Sequence, residues 1–397
     1  MPRKLRAKSV TLTIKTSPDT IIMSGQVSWI QAFSPKENKL NILLLAVPVT
    51  LYYSEVAHDP SIAFFCSLIA IMPLAFLMGR ATEEIALRTS ESVGGLLNAT
   101  FGNAAEMIIA ILAIYAAYQA GPGSTTEETM VHLVQASLIG SILGNLLLVM
   151  GLAFLWGGIH HAEQSFSETQ VSSNGSLLLL SMIVLVIPSV FQYTVKGDVG
   201  ASGVENLSHI AALVLLLIYG LFLLFQLRTH VHLFATDGHH SEQPEMSKRD
   251  AATLLITSTV LVSMMAEVLV HSVEDAAAEL DLPHLFIGVI LLPLFGNAAE
   301  HFTAVTVAGK DKMDLSFAIS MGSSTQIAVF VAPLMVAIAW AMGVPLTFEF
   351  GILETVSAFM SVLIVNAIAS DGKSNWLEGT MLLAAYLLLG AAFLFHP

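Results

Sequence analysis

The chain has 397 residues, of which 55% are apolar and only 12% are Asp, Glu, Lys or Arg. This charged fraction is about half that of a soluble globular protein, and the mean hydropathy is +0.75. Such a composition argues against a soluble enzyme, which could not cover its surface, and excludes a disordered chain. The net charge of −14 argues against nucleic acid as a partner, because nucleic acid selects basic surfaces. The single cysteine, Cys66, excludes an intramolecular disulfide and a cysteine-based metal site.

The first 39 residues differ in composition from the rest of the chain. They carry seven bases and no apolar core, which predicts a cytosolic N-terminal tail at 1–39 rather than a secretory signal peptide. After the tail come eleven apolar stretches near the length of about 20 residues that crosses a bilayer as a helix. The predicted spans are 40–57, 61–79, 92–119, 130–157, 174–193, 207–227, 250–272, 283–308, 315–342, 346–368 and 375–395. The predicted fold class is an all-α polytopic membrane protein embedded in the lipid bilayer.

The bases between the predicted spans fall almost entirely on one side of the bundle. If alternate connections lie on opposite sides, one side holds fifteen bases and the other holds Lys196 alone. Basic loops remain in the cytosol, so we expect a cytosolic N-terminus and a C-terminus on the opposite side. The longest connection, 228–249, is predicted to be a cytosolic linker between two halves, and its four histidines are interpreted as part of a solvated polar loop.

An internal repeat is the strongest signal in the sequence. Residues 101–106 and 295–300 both read Phe-Gly-Asn-Ala-Ala-Glu, and they fall in the third and eighth predicted spans. Because five spans separate them, the two copies must run in opposite directions across the membrane. This predicts one additional helix, 40–57, followed by two inverted five-helix repeats, 61–227 and 250–395. Secondary transporters with inverted repeats place their substrate sites near the bilayer midplane, on interrupted helices.

Each copy of the motif brings a carboxylate, Glu106 or Glu300, into an apolar span that contains no Lys or Arg. An acidic residue at a helix centre costs about 2.5–3.5 kcal/mol on insertion scales, and intramembrane charges usually mark ion paths. Asn103, Asn297 and freed backbone carbonyls could add oxygen ligands, which hard cations such as Ca²⁺ prefer. The alternative is a small-residue packing motif whose Glu is satisfied by a neighbour. Packing, however, does not require Asn and Glu at the same offset in both halves.

The spans after the two motif copies also correspond to each other. Gly-Ser pairs place Ser141 in one span and Ser323 in the other, with Gln135 and Gln326 nearby. These polar side chains could complete a cation cage or line its access path. The alternative interpretation for each of them is an ordinary interhelical hydrogen bond.

Further ionisable residues accompany the motifs. Glu83 follows the second span and Glu267 lies inside the seventh, where hydrated vestibule or proton-path carboxylates would suit a transporter. The neighbouring Glu84 is equally well interpreted as an interfacial residue. His301 directly follows Glu300 and could carry protons, since an unperturbed histidine titrates near neutrality. A buried histidine with a satisfied ring is the alternative.

Several longer motifs surround these positions. They are ATEE at 81–84, GGLLNATFGNAAE at 94–106, QASLIGSILGN at 135–145, FGNAAEH at 295–301, KDKMDL at 310–315, MGSSTQ at 321–326 and DGKSNWLEG at 371–379. In these motifs the chain resembles the calcium/proton exchangers of the CAX family, within the cation/Ca²⁺ exchanger superfamily. The resemblance extends from about residue 40 to the C-terminus and includes fungal vacuolar members.

The resemblance implies an antiporter, not an enzyme, that moves Ca²⁺ out of the cytosol in exchange for H⁺ without a cofactor. Glu106 and Glu300 would then be the central ion-binding carboxylates. The positions that match the family's polar or outer acidic residues are Asn103, Asn297, Ser323, Gln326, Glu83 and Glu267. The membrane would be vacuolar in a fungus or plant and the inner membrane in a bacterium. The sequence leaves a homo-oligomer open.

Three other functions remain as alternatives. A sodium-coupled exchanger of the same superfamily would be driven by Na⁺ rather than by a pH gradient. A cation channel would pass ions without a counter-ion, which the inverted repeat argues against. An intramembrane hydrolase would require a nucleophile–base pair or a metal motif such as HExxH, and no HExxH occurs in the sequence.

Overall fold

The computed structural model describes residues 27–89, 93, 94, 97, 100–195, 198–230 and 244–396, which are almost entirely helical. The helices are α1 (Lys39–Ala57), α2 (Pro60–Ala86), α3 (Ala104–Ala120), α4 (Thr125–His160), α5 (Glu168–Thr194), α6 (Asp198–Leu224), α7 (Lys248–Leu280), α8 (His284–Gly296), α9 (Ala298–Gly309), α10 (Met313–Met342), α11 (Ile352–Ile368) and α12 (Trp376–Phe395). A single helical turn, Trp29–Ala32, precedes α1.

Most of these helices are long and apolar enough to cross a bilayer. Within the described ranges nine meet that criterion, or ten if α8 and α9, which are bent by 58° relative to each other, form one interrupted span. Helix α3 is shorter, with 17 residues. A helix satisfies its own backbone polar groups, which is what lipid requires of a spanning segment. The chain is therefore a polytopic helical membrane protein.

Some predicted features lie outside the described residues. They are the tail residues 1–26, the base Lys196, and the part of the predicted linker, 231–243, that holds three of its four histidines.

Several helix boundaries differ from the predicted spans, and two of these differences have a local explanation. The fourth predicted span, 130–157, is part of the longer helix α4, because the Ser124 side chain caps that helix by accepting a hydrogen bond from the Glu127 backbone. The tenth predicted span, 346–368, begins later, at Ile352, because the apolar residues before it are non-helical.

Helices α4 and α10 connect two opposite faces of the bundle. Helix α4 begins beside residues 345–351, with which it lines a cleft. It ends at His160, next to a short antiparallel ladder between β1 (Gln164–Ser165) and β2 (Lys373–Ser374). We call the side with the ladder the basic face, because it carries Lys310, Lys312 and Lys373, and the side with the cleft the far face.

The ladder at the basic face joins connections from both halves of the chain. The Gln164 amide donates hydrogen bonds to the Ala308 carbonyl at 3.0 Å and to Oδ1 of Asp311 at 2.9 Å. The Lys373 ammonium contacts the Glu163 carboxylate at 2.9 Å. The hydrogen bond and the charge of that carboxylate raise the pKa of Lys373. Polar side chains thus fasten three separate connections together.

Helices α2 and α7 pack against each other in opposite directions. Ser61, near the start of α2, donates a 2.7 Å hydrogen bond to Glu279, near the end of α7. At the other end of the pair, Glu84 accepts the backbone N–H of Met246, just before α7, at 3.1 Å. An antiparallel pair is what an inverted repeat requires of the second and seventh predicted spans.

Candidate cation site

Both copies of the repeated motif interrupt a helix at the asparagine. Asn103 (φ −99°, ψ 22°) and Asn297 (φ −90°, ψ 6°) have similar backbone conformations and directly precede α3 and α9. Neither side chain caps the helix that follows it. Asn competes with helical hydrogen bonding, and the Gly before it weakens the helix further. The same local sequence therefore produces the same break in each half.

The two motif carboxylates lie immediately after these breaks. Glu106 is in the first turn of α3 and Glu300 is in the first turn of α9. The start of a helix carries a partial positive charge of about +0.5, which stabilises a negative group placed there. Each carboxylate is thereby held on a rigid helix end, in an otherwise apolar segment.

The carboxylates approach each other across the boundary between the two halves. A Cβ atom placed on Gly296 would lie 3.7 Å from Oε1 of Glu106, so this side chain reaches the other copy of the motif. Glu300 lies close enough for its charge to act on Glu106. The two motif copies thus form one site rather than two.

Amide and hydroxyl groups complete the surroundings of the carboxylates. The Asn103 amide donates a 2.8 Å hydrogen bond from Nδ2 to Oε1 of Gln326. The Ser323 side chain lies close enough to the Glu300 carboxylate to act on it. Asn103, Asn297 and Ser323 are all buried. Of the six residues that the sequence analysis selected as cation ligands, the structure brings Glu106 close to Glu300, Asn103 to Gln326 and Ser323 to Glu300. Asn297 lies at the second helix break.

Several oxygens of this cluster are buried without a hydrogen-bond donor in the described part of the chain. They are both carboxylate oxygens of Glu106, Oε2 of Glu300 and Oδ1 of Asn103. Buried polar atoms are nearly always paired, and an unpaired one costs about 1–3 kcal/mol. A hard cation would satisfy all four oxygens at once. The unpaired atom of the Asn297 amide is its nitrogen, so this side chain does not duplicate the arrangement at Asn103.

The cluster combines two carboxylates with neutral polar groups. Among the described residues, no group of three or more His, Cys, Asp or Glu side chains could hold a metal ion. Two carboxylates balance the charge of one divalent cation, while the remaining ligands would be neutral oxygens.

Helices α4 and α10 contain corresponding irregularities beside the site. A π-helical turn covers Gly144–Val149 in α4 and another covers Ile327–Val331 in α10. When Ser141 is aligned with Ser323, Gly144 aligns with Gln326, so the two turns begin within one position of each other. Single π-helical turns are frequent at functional sites. Ser141 itself is buried in the turn before this irregularity.

The predicted vestibule and proton-path residues lie in different places. Gln135 is buried at the far-face cleft, where its amide donates a 2.9 Å hydrogen bond to the Thr347 carbonyl. Glu83 and Glu267 are exposed, on α2 and α7. His301 is buried on α9 next to Glu300, and its Nε2 has no hydrogen-bond partner among the described residues.

Glu84, which the sequence analysis leaves open between a vestibule or proton-path carboxylate and an interfacial residue, makes contacts that neither interpretation includes. It is 5% exposed, accepts the backbone N–H groups of Glu245 and Met246, and pairs with Arg88 at 2.9 Å. A sequence pattern could not reveal this role, because the backbone that Glu84 holds is more than 160 residues away.

A close helix contact beside the site was also not predicted. A Cβ on Gly140 of α4 would come within 2.2 Å of the Val289 carbonyl of α8. Only glycine permits this approach between the two backbones. The Gly-Ser pair was the available signal in the sequence, but the sequence analysis considered only its serine and not the close packing that its glycine permits.

Comparison with known proteins identifies close relatives over nearly the whole chain. The family model described as sodium/calcium exchanger protein matches residues 60–228 and 251–395. A Ca²⁺/H⁺ antiporter of Aphanothece halophytica is 44% identical over 371 residues, which cover 89% of this chain and 96% of that protein. A vacuolar calcium ion transporter of Schizosaccharomyces pombe is 36% identical over 361 residues, with 90% and 85% covered.

Solved structures have the same architecture. The structure of native YfkE superposes with a TM-score of 0.76 at 36% identity and covers 90% of this chain and all of that chain. The crystal structure of an H⁺/Ca²⁺ exchanger, CAX, gives a TM-score of 0.64 at 15% identity, with 91% and 93% covered, and supports the fold alone.

Proposed function

The chain belongs to the sodium/calcium exchanger protein family, and we propose that it is a Ca²⁺/H⁺ antiporter of the CAX group that exports Ca²⁺ from the cytosol. It is a transporter and not an enzyme. Relatives that carry this activity in their names align over about nine-tenths of the chain. The observation that carries the proposal is the pair Glu106 and Glu300, where three carboxylate oxygens are buried without a donor among the described residues.

We infer that the two carboxylates couple Ca²⁺ to H⁺ by exclusive occupancy. Two ionised carboxylates at short range in a site of low dielectric repel each other and lose their hydration. Either one Ca²⁺ or two protons supplies the charge that this pair requires. Because the two kinds of occupant compete for the same oxygens, each can be carried only in the absence of the other. The doubly charged empty site would be too unfavourable to change its orientation, which prevents a leak.

The neutral groups position the carboxylates for this exchange. The hydrogen bond from Asn103 to Gln326 turns the Asn103 carbonyl oxygen away from Gln326 and leaves it unpaired. Ser323 holds one side of the Glu300 carboxylate. Asn297 stands at the equivalent break in the second half. We assign these four residues to the Ca²⁺ site together with the two carboxylates.

We propose that the fold consists of α1 and two inverted five-helix repeats with eleven spans in total. The similar breaks at Asn103 and Asn297, the corresponding π-helical turns and the antiparallel pair α2 and α7 support this layout. Alternating access would follow from movement of these elements around a fixed site. The distribution of the bases supports a cytosolic N-terminus, and we propose the vacuolar membrane in a fungus or plant or the inner membrane in a bacterium.

Vesicle flux tests the proposal directly. An imposed pH gradient should drive ⁴⁵Ca²⁺ uptake, and Glu106→Gln or Glu300→Gln should abolish it, because a neutral amide cannot balance the cation. Glu205→Gln makes the same chemical change at an exposed position of α6 and should leave uptake unchanged. Full exchange by both Gln variants would contradict the mechanism. Uptake driven by a Na⁺ gradient instead would identify a sodium-coupled exchanger.

A further inference from the structure

A cleft of about 510 Å³ opens at the far face between α4, the end of α5 and the connection from α10 to α11. On α4 its lining residues recur on successive turns, beginning at Ser124 and ending at Gln135. At 1.5 Å per residue the cleft therefore descends about 16 Å along this helix. Gln135 is only 4% exposed and forms the floor.

The connection that borders this cleft, 344–351, is non-helical and has two distinct sides. Its apolar residues at alternate positions are buried, with Val344, Leu346, Phe348 and Phe350 each at most 4% exposed. The intervening residues at 345, 347, 349 and 351 line the cleft, together with Phe350 near the end of the segment. This period of two is that of an extended strand. One side of the segment thus packs into the bundle while the other faces the cleft.

Side chains from three helices supply four of the hydrogen bonds of this segment. Ser208 of α6 accepts the Phe348 N–H at 3.0 Å, and Ser189 of α5 donates to the Phe348 carbonyl and accepts the Phe350 N–H, both at 2.9 Å. Gln135 of α4 donates to the Thr347 carbonyl at 2.9 Å. An extended backbone outside a sheet must find such partners when it is buried. The segment is therefore held by individual side-chain bonds, which can be broken one at a time.

The floor of the cleft lies close to the level of the cation site. Gln135 precedes Ser141 by six positions on α4, which is about 9 Å along the helix axis. One residue before Ser141, a Cβ placed on Gly140 would lie 2.7 Å from Cγ of Pro293, whose carbonyl accepts the N–H of Asn297 at the second helix break. Between the floor and this level, α4 presents the buried apolar residues Leu138 and Ile139. The cleft thus ends about two helical turns from the level of the carboxylates.

We propose that segment 344–351 is the far-face gate of the ion path and that Gln135 is the residue that holds it closed. The inference rests on the proposed function, since a gate is needed only where ions cross. Gln135 acts through the Thr347 backbone and is a positioning residue, not a cation ligand. When its bond breaks, the Thr347 carbonyl becomes available to water in the cleft, so opening exchanges one hydrogen bond for another. Without the Gln135 amide, the Thr347 carbonyl lacks a hydrogen-bond partner in the closed state but not in the open state. Removing the amide should therefore favour opening about tenfold.

Thiol labelling measures the opening, because Cys66 is the only cysteine of the chain. A Cys66→Ser, Leu138→Cys protein carries one reporter thiol almost one turn below Gln135. In sealed vesicles, a membrane-impermeant methanethiosulfonate is added from the far face. The parent should be labelled slowly, and Gln135→Leu should be labelled about ten times faster. Ser208→Ala removes a different bond to the same segment, keeps its helix intact, and should also accelerate labelling. Asn206→Ala removes an exposed amide that binds only its own helix and should have no effect.

Each outcome decides the proposal. Faster labelling of Gln135→Leu or Ser208→Ala from the far face, with unchanged labelling from the basic face, supports the gate. If both variants are labelled at the parent rate, the gate is wrong, and Ser208→Ala decides alone should Gln135→Leu fail to fold. Labelling does not require transport. Proton-driven ⁴⁵Ca²⁺ uptake in the same vesicles therefore shows separately whether the proposed function stands.

Discussion

Nδ2 of Asn103 donates a 2.8 Å hydrogen bond to Oε1 of Gln326, which joins the helix break of the first motif copy to the helix that follows the second copy. The contact spans 223 positions of sequence and lies beside the two buried carboxylates. Because it fixes which atom of the Asn103 amide faces the site, it links the packing of the two halves to the chemistry of cation binding.

The first prediction concerns this bond. Gln326→Ala should lower the apparent Ca²⁺ affinity about fivefold to tenfold, because the Asn103 amide loses the partner that orients it. Asn103→Ala should weaken binding by more, and adding Gln326→Ala to it should cause little further loss. The measurement is the Ca²⁺ dependence of proton-driven uptake. Additive losses would show that the two side chains act independently. Gln192→Ala, an amide removed at the end of α5, serves as the control.

The second prediction uses the space beside Gly296. A Cβ there would lie 3.7 Å from Oε1 of Glu106, which is an ordinary van der Waals contact. Gly296→Ala should therefore retain uptake, whereas Gly296→Val should abolish it by filling the volume that the cation requires. Retained uptake with Gly296→Val would mean that the ion does not occupy this side of Glu106. Detergent-purified protein should remain monodisperse in both variants.

The third prediction concerns the contact between α4 and α8. Gly140→Ala places a methyl group 2.2 Å from the Val289 carbonyl and should lower stability by about 1–3 kcal/mol or more. Gly220→Ala makes the same change in α6 where no atom lies within 4 Å of the new group, so its stability should be preserved. Thermal unfolding in detergent compares the two proteins. Equal midpoints would show that α4 and α8 are farther apart than described.

The fourth prediction addresses Glu84. Glu84→Ala removes the acceptor of two backbone N–H groups and the partner of Arg88, and should destabilise the protein by about 2 kcal/mol or more. The start of α7 should then become more sensitive to protease added to the basic face. As the control, Glu205→Gln removes a carboxylate at an exposed position and should not change the cleavage rate. An unchanged cleavage rate would contradict the anchoring role.

The fifth prediction is a stabilisation by the transported ion. Ca²⁺ at one hundred times its dissociation constant should stabilise the folded protein by about 2.7 kcal/mol, because it binds only the native site. A chelator should reverse the shift in the unfolding midpoint. Glu106→Gln should lose the shift while it remains folded. A shift of equal size in that variant would place the bound ion elsewhere.

The residues of the proposed cation site could be selected from the sequence because the motif that contains them occurs twice. Glu106 and Glu300 recur within six identical residues, and the cost of burying a carboxylate in an apolar span points to an ion. The spans could be predicted for a similar reason, since lipid requires about 20 apolar residues in a row.

Contacts between distant segments could not be predicted in this way. The apolar run that begins near residue 346 reads as the start of a helix, but Ser189 and Ser208 instead hold part of it as an extended segment. Glu84 looks interfacial in isolation, and only the approach of Met246 makes it an anchor. In both cases a partner more than 130 residues away decides the outcome.

The ladder between β1 and β2 has a mechanical consequence. It ties the connection after α4 to the one before α12, and the Gln164 amide fastens both to the end of α9. Helices α4, α9 and α12 are thus joined at the basic face, and we expect them to move as one rigid unit. Helices α2 and α7 do not take part in these contacts and are hydrogen-bonded to each other. We therefore expect α2 and α7 to move as a pair relative to the unit formed by α4, α9 and α12.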